Sequence, residues 1–172
     1  MTELSADELG QLFNFAFQQH DRKAIREAKR FRKSDGVTPY GIHPVVCAAL
    51  LLHETSLVLT QHMKIVGAQA LAYHDILEDT SATLPEHVSE EVSDLVVGMT
   101  FPSSDEEMEM VWDRSPFIRM LKLYDKVSNM LDASWMTVEQ LEKYRVYVRK
   151  LIDDVSANYG ELNIIKLARC LV

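Results

Sequence analysis

Residues 72–80, AYHDILEDT, gather one histidine and three acids: His74, Asp75, Glu78 and Asp79. On a helix, at 100° per residue, the four would occupy one arc of roughly 140°. Three ionised carboxylates on one arc repel one another, so such a cluster needs a cation or a substrate to organise it. A His-Asp dipeptide alone is common and reads more readily as a solvated helix end. Two further strings change its weight. Upstream, GIHP places His43 at the end of a Gly/Pro loop, with Pro44 suited to the first turn of a following helix. Downstream, KLYDKVSNM places Asp125 one helical turn before Asn129. His43, His74, Asp75 and Asp125 then make a nitrogen/oxygen ligand set drawn from three separate helices. Two imidazoles and two carboxylates suit Mn²⁺, Fe²⁺ or Zn²⁺, and a six-coordinate ion would keep two positions open for water and phosphate.

These side chains must be carried by helices, because no stretch of the chain sustains strand-like alternation. Ser5-Ala-Asp-Glu8 has the capping-box pattern and opens a helix to about residue 19, with Leu9, Leu12, Phe13 and Phe17 on its apolar side. The basic stretch from Arg22 to Lys33 reads as a continuing amphipathic helix, with Ala24, Ala28 and Phe31 facing away from most of the charge. SDGVTPYGIHP, with two glycines and two prolines in eleven residues, is a loop. Further helices are expected over 44–58, 64–78, 88–98, 116–131, 137–159 and 161–170. Thr83 and Pro85 are suited to open a helical region at 84–98, and Gly160 separates the last two helices. On the 116–131 helix, Phe117, Met120, Leu123, Tyr124 and Val127 lie opposite Lys122, Asp125 and Asn129, so that polar side read alone is solvated. The expected fold class is all-α, in one domain over 1–172.

Composition narrows the setting. With 47% hydrophobic and 26% charged residues in 172, the chain reads as a folded protein with an adequate core. The apolar run from Val45 to Thr60 is interrupted by His53 and Glu54 and is too short to span a bilayer. The acidic start MTELSADELG has no basic stretch ahead of an apolar one, which points to a cytoplasmic protein without membrane attachment. Cys47 and Cys170 sit in apolar strings and read as buried small hydrophobes. A net charge of −8 disfavours nucleic acid as a partner. Residues 22–33 nevertheless carry +6 against −14 for the rest, so an anionic ligand has a place to start. That stretch lacks the interleaved aromatics that single-stranded RNA would need. His20, His53, His62 and His87 fall outside the ligand pattern and read as ordinary surface or core histidines. Nothing in the pattern fixes an oligomeric state.

RKSDGVTPYGIHP (32–44), HDILEDT (74–80) and KLYDKVSNM (122–130), in this order, resemble the motifs of the HD phosphohydrolase superfamily. Within it they are most similar to the hydrolase domains of RelA/SpoT homologues and their small stand-alone relatives. The likeness covers residues 32–130, and the flanks agree only in being helical. It implies an HD-domain helical bundle that hydrolyses the 3′-pyrophosphate of a guanosine or adenosine 3′,5′-polyphosphate alarmone such as ppGpp. It implies that His43, His74, Asp75 and Asp125 bind one divalent metal ion per chain, typically Mn²⁺, with Fe²⁺ or Zn²⁺ as alternatives. Glu78 and Asp79 match the pair that positions and activates the attacking water. Arg32 and Lys33 match residues lining the nucleotide and phosphate pocket, Asn129 matches a substrate-contacting asparagine, and Tyr40 falls in the pocket wall. One departure stands out. The stretch of 50 residues from Asp75 to Asp125 is short for the family and contains the acidic FPSSDEEMEMVWDRSP, so the preferred base or phosphate pattern is expected to differ. No synthetase domain follows, so degradation alone is expected.

The chemistry implied is metal-assisted hydrolysis of a phosphoric anhydride or ester, the ion lowering the pKa of a water and polarising a phosphate oxygen. Glu78 and Asp79 would orient that water and manage its proton. Arg32 and Lys33 would neutralise substrate charge, the planar fork of Arg32 suiting phosphate or stacking on a base. The expected products are a nucleoside 5′-diphosphate or triphosphate and pyrophosphate. Two other functions remain open on sequence: an HD 5′-nucleotidase or related nucleotide phosphohydrolase, and a non-catalytic HD module that binds a nucleotide or a protein partner. The Arg-Lys and Glu-Asp pairs weigh against the first, and the complete ligand set weighs against the second.

Overall fold

A computed structural model describes residues 4–25 and 30–172. Among these residues the regular secondary structure is helix; Ala24 with Thr80 and Phe31 with Pro39 form isolated β-bridges. In chain order the helices are α1 (Ala6–Lys23), α2 (Ile42–Leu52), α3 (Gln61–Tyr73), α4 (Ile76–Asp79), α5 (Glu90–Met99), α6 (Ser104–Met110), α7 (Pro116–Met130), α8 (Val138–Tyr159) and α9 (Asn163–Arg169). Short 3₁₀ turns at Val111–Asp113 and Ala133–Trp135 bracket α7. The all-α expectation holds. No helix among the described residues is long and apolar enough to cross a membrane.

The starts of these helices follow from side chains able to take up orphan backbone N–H groups. Ser5 and Glu8 form the expected capping box, and Thr137 with Gln140 forms another at α8. Ser115 caps α7, with Pro116 at its first position, where no N–H is needed. Gly160, at φ +71°, ends α8 in a conformation that a side chain would strain. Thr83 and Pro85 do not open the next helix as the sequence suggested. Val88 N–H closes a turn on the Pro85 carbonyl, and Ser89 caps α5 by accepting the Val92 N–H.

α7 is the central helix, and its burial is the largest departure from expectation. Met120, Leu123, Tyr124 and Val127 fill the core against α2, α3 and α8, as expected, with Phe117 partly buried against it and Leu121 buried as well. The opposite side is not solvated, because Lys122, Asp125 and Lys126 are also buried. α6 and Phe101 help cover it, and the sequence reading had given the segment holding α6 no helix at all. Burying that charge is tolerable only because every member is paired.

Other boundaries also move. Of the basic helix expected over 22–33, Arg22 and Lys23 form the end of α1, but Ala24 bridges to Thr80, and Arg30 to Lys33 run in turn and bridge geometry. Residues 26–29, with Ala28 of the expected apolar face, lie outside the described residues. α2 stops at Leu52 instead of 58. There Glu54 is buried and accepts the Asn163 N–H at 2.7 Å, which ties the following loop to the start of α9. Cys47 is buried as expected, but Cys170 is exposed, lying just past the last turn of α9.

Candidate metal centre

Three local devices bring the polar side chains together. The first is the turn between α1 and α2. Asp35 accepts the N–H groups of Val37 and Thr38, both at 2.9 Å, and Gly36 takes φ +70°. Arg32 N–H then reaches the Thr38 carbonyl at 2.7 Å and Tyr40 N–H the Arg30 carbonyl at 2.7 Å, so Arg32 and Tyr40 face each other with the guanidinium 5.5 Å from the ring centroid. Gly41 lies so close to α1 that a Cβ there would sit 2.7 Å from Phe17 Cα. That approach seats the start of α2, where His43 N–H closes on the Tyr40 carbonyl at 2.9 Å.

The second device is a break in the helix at the His-Asp pair. The four polar residues of 74–79 do not share one continuous helix as expected. α3 ends at Tyr73, and the His74 ring nitrogen Nδ1 takes the Leu71 carbonyl at 2.7 Å, a carbonyl that the helical ladder would give to Asp75 N–H. α4 then restarts at Ile76 and carries Glu78 and Asp79. Because Nδ1 donates to that carbonyl, neutral His74 presents the lone pair of Nε2 to the cluster. The third device is α7, which places Asp125, Ser128 and Asn129 within one turn of each other.

The result is a compact ligand cluster. One ligand atom each from His43, His74 and Asp125 lies within 4.8 Å of the others. His43 Nε2 is 3.2 Å from Asp125 Oδ1, and His74 Nε2 is 3.7 Å from the same oxygen. Asp75 lies beside them, with Oδ1 3.1 Å from His74 Nε2 and Oδ2 3.6 Å from His43 Nε2. His43 Nδ1 is held by the Ser128 hydroxyl at 2.9 Å, so both imidazoles are oriented from behind. His74 Nε2 is buried and has no hydrogen-bond partner among the described residues. An oriented imidazole lone pair with no donor, beside two carboxylates, fits a divalent transition ion.

The charges agree with that fit. Burial alone would lower the pKa of His74, but Asp75 and Asp125 outweigh it and hold it up at about 9. Burial dominates at His43 and lowers its pKa despite the same two carboxylates. Burial opposes ionisation of Asp75 and Asp125 too, yet their cationic neighbours hold both below the ordinary carboxylate range. A bound cation would take the place of the His74 proton. Glu78 differs: burial first, and then the Asp75 charge, raise its pKa to about 7. Its Oε1 accepts the Phe101 N–H at 2.8 Å.

A cavity of about 680 Å³ opens over the cluster. Asp75, Asp125, Glu78 and Asp79 line it, and so do Arg32, Lys33, Tyr40 and Asn129, while His43 and His74 are buried and do not. The sequence-assigned residues are thus brought to one place. Tyr40 hydroxyl donates to Asp75 Oδ2 at 2.9 Å, and Asn129 Nδ2 donates to Asp125 Oδ1 at 2.8 Å. Arg32 is buried, its Nε donating to Asp132 at 2.5 Å and its Nη2 to Asn129 Oδ1 at 3.4 Å. Lys33 is exposed and lies 4.1 Å over the Trp135 ring.

Several neighbours were missed. Lys122, Lys126, Glu107 and Tyr144 line the same cavity, as do Trp135 and Phe101. The two lysines stand inside the KLYDKVSNM string and were open to discovery from it; Glu107 and Tyr144 carry no local signal. His20, read as an ordinary histidine, is buried and packs on the Tyr40 ring at 4.7 Å between centroids. His53, His62 and His87 are exposed and away from the site.

No family model matches the chain. The chain is 32% identical over 136 residues to guanosine-3′,5′-bis(diphosphate) 3′-pyrophosphohydrolase MESH1 of Homo sapiens, covering 73% of each chain. The protein of the same name from Xenopus tropicalis is 29% identical over 143 residues, covering 77% of this chain and 73% of the other. A solved structure of a metazoan orthologue of SpoT, reported to hydrolyse ppGpp and to play a role in starvation responses, matches with a TM-score of 0.73. That match covers 99% of this chain and 96% of the other at 21% identity, which speaks to the fold alone.

Proposed function

The chain belongs to the MESH1 family of small HD-type hydrolases, and from that premise we propose that it removes the 3′-pyrophosphate of a purine nucleoside 3′,5′-polyphosphate such as ppGpp. One observation supports this reading most directly. The carboxylates of an imidazole–carboxylate cluster, the Glu78–Asp79 pair and the Arg32–Lys33 pair line the same cavity, which is large enough for a nucleotide. The partner implied is a small anionic molecule, and the setting proposed is cytoplasmic.

In this reading His43, His74, Asp75 and Asp125 hold one divalent ion, with Mn²⁺ the proposed metal. Bound there, the ion supplies Lewis acidity toward a water and a phosphate oxygen. Glu78, with its pKa near 7, and Asp79 orient the attacking water and accept its proton. Tyr40 and Asn129 fix the carboxylates of Asp75 and Asp125 through their hydrogen bonds. Asn129 also links Asp125 to Arg32, so the substrate-binding arginine and a proposed ligand share one amide. Lys33, on the open side against Trp135, adds positive charge where a polyphosphate enters.

The test is a product assay. Mn²⁺-loaded protein is incubated with ppGpp, its adenosine counterpart and a deoxynucleoside 5′-monophosphate. Pyrophosphate from one or both alarmones, with no phosphate from the monophosphate, is expected. Phosphate from the monophosphate with no pyrophosphate from either alarmone would replace this reading by the nucleotidase.

Arg32 gives a sharper prediction within the same assay. Its guanidinium is preset by Asp132 and Asn129 instead of roaming in solvent, so it pays little ordering cost on meeting phosphate. Arg32→Ala is expected to lower kcat/KM for the alarmone about tenfold or more, as for a lost charge-assisted contact. Hydrolysis of a small generic phosphoester should change far less. Equal losses on both would place Arg32 in general support of the site, outside substrate binding.

A further inference from the structure

Asp125 divides its two oxygens between unlike surroundings. Oδ1 faces the imidazoles of His43 and His74 and the amide of Asn129. Oδ2 faces two ammonium groups, Lys122 at 3.2 Å and Lys126 at 2.9 Å. Asp125 and both lysines are buried. Two buried lysines on a single carboxylate would cancel its charge and leave one positive charge over, which a cation arriving at Oδ1 would meet as repulsion.

Glu107 removes that surplus. Its Oε2 lies 2.8 Å from Lys122 Nζ and its Oε1 2.7 Å from Lys126 Nζ, while the Tyr147 hydroxyl donates to Oε1 at 3.0 Å. It is itself buried, and it comes from α6, in the acidic segment outside all three sequence motifs. We propose that Glu107 is a positioning residue for the metal centre. By offsetting the surplus positive charge of Lys122 and Lys126, it brings the four buried groups to neutrality, so a cation reaching Oδ1 meets no net repulsion from behind, and it keeps Oδ1 turned toward the histidines. The inference rests on the assignment of Asp125 as a metal ligand.

The experiment titrates Mn²⁺ into metal-free protein and reads free Mn²⁺ by electron paramagnetic resonance. Wild type is compared with Glu107→Gln, Lys126→Met, the double variant and His74→Ala, with thermal melts run alongside. Glu107→Gln is expected to weaken Mn²⁺ binding about tenfold or more, since it adds a net unit charge close to the cation. Adding Lys126→Met removes that charge and should bring affinity back to within about threefold of wild type. A merely structural Glu107 would lower the melting temperature, leave the affinity of folded protein unchanged and show no such rescue. Folded Glu107→Gln that binds as wild type does, or a loss that Lys126→Met fails to restore, overturns the proposal. If Glu107→Gln does not fold, Lys126→Met alone decides: it should bind Mn²⁺ at least as tightly as wild type, and weaker binding overturns the proposal. Unchanged binding in His74→Ala would instead overturn the metal assignment, and this inference with it.

Discussion

Mn²⁺ binding and hydrolysis should both disappear when either His74 or Asp125 is replaced by alanine. His74 is the cleaner test, because outside the ligand cluster its ring is described in one hydrogen bond, to the Leu71 carbonyl. Losing it removes a preset lone pair and a buried ring packed on His43 but breaks no buried charge pair with a lysine, so helical circular dichroism should be retained. Asp125→Ala also strips a partner from two buried lysines. That variant is expected to melt lower as well, in keeping with the roughly 3–5 kcal/mol typical of a broken buried charge pair. In wild type, stripping the metal should itself lower the melting temperature, because an ion that binds only the native state stabilises it by mass action. Full metal occupancy in both variants would contradict the ligand assignment.

The second large effect is a loss of turnover with the metal still bound. Glu78→Gln and Asp79→Asn preserve size and hydrogen bonding but remove the charge that manages a proton. Each is expected to reduce kcat on the order of a hundredfold or more, with Mn²⁺ occupancy little changed. The pH profile follows from the raised pKa of Glu78. A general base must be ionised, so kcat/KM should rise with pH and level off above about 7, and a nearby cation moves that limb lower by favouring the charged form. The sign for stability is opposite. A carboxyl whose folded pKa is raised from 4.5 to about 7 stabilises the metal-free fold below pH 4.5, and that contribution is lost as pH climbs through 7. Glu78→Gln should flatten that decline, and wild-type turnover in both variants would remove the pair from the mechanism.

The sequence carried the chemistry further than the scaffold. His43, His74, Asp75 and Asp125 could be expected together because three short strings in a fixed order carry them, and the structure gathers the four at one place. All-helical architecture was legible from periodicity and from the capping patterns at Ser5 and Gly160. The misplaced pieces share a cause, which is tertiary contact overriding local pattern. His74 diverts the Leu71 carbonyl and breaks a helix that periodicity runs straight through. The basic stretch after Arg22 reads as an amphipathic helix, but Ala24 and Phe31 instead pair with Thr80 and Pro39, one far away in sequence and one across a turn. The polar side of α7 looks solvated until Glu107, from a segment too acidic to suggest burial, closes over it. Charge that is balanced across 15 to 19 residues of chain leaves no trace in a local window.

The central claim is attack by water on the phosphorus next to the 3′-oxygen, at a cation held by His43, His74, Asp75 and Asp125. The most direct measurement is a turnover of ppGpp in ¹⁸O-labelled water with Mn²⁺-loaded protein, the products resolved by mass spectrometry. The account predicts pyrophosphate carrying one ¹⁸O and GDP carrying none. Release of inorganic phosphate in place of pyrophosphate, or label appearing in the nucleotide, would contradict it.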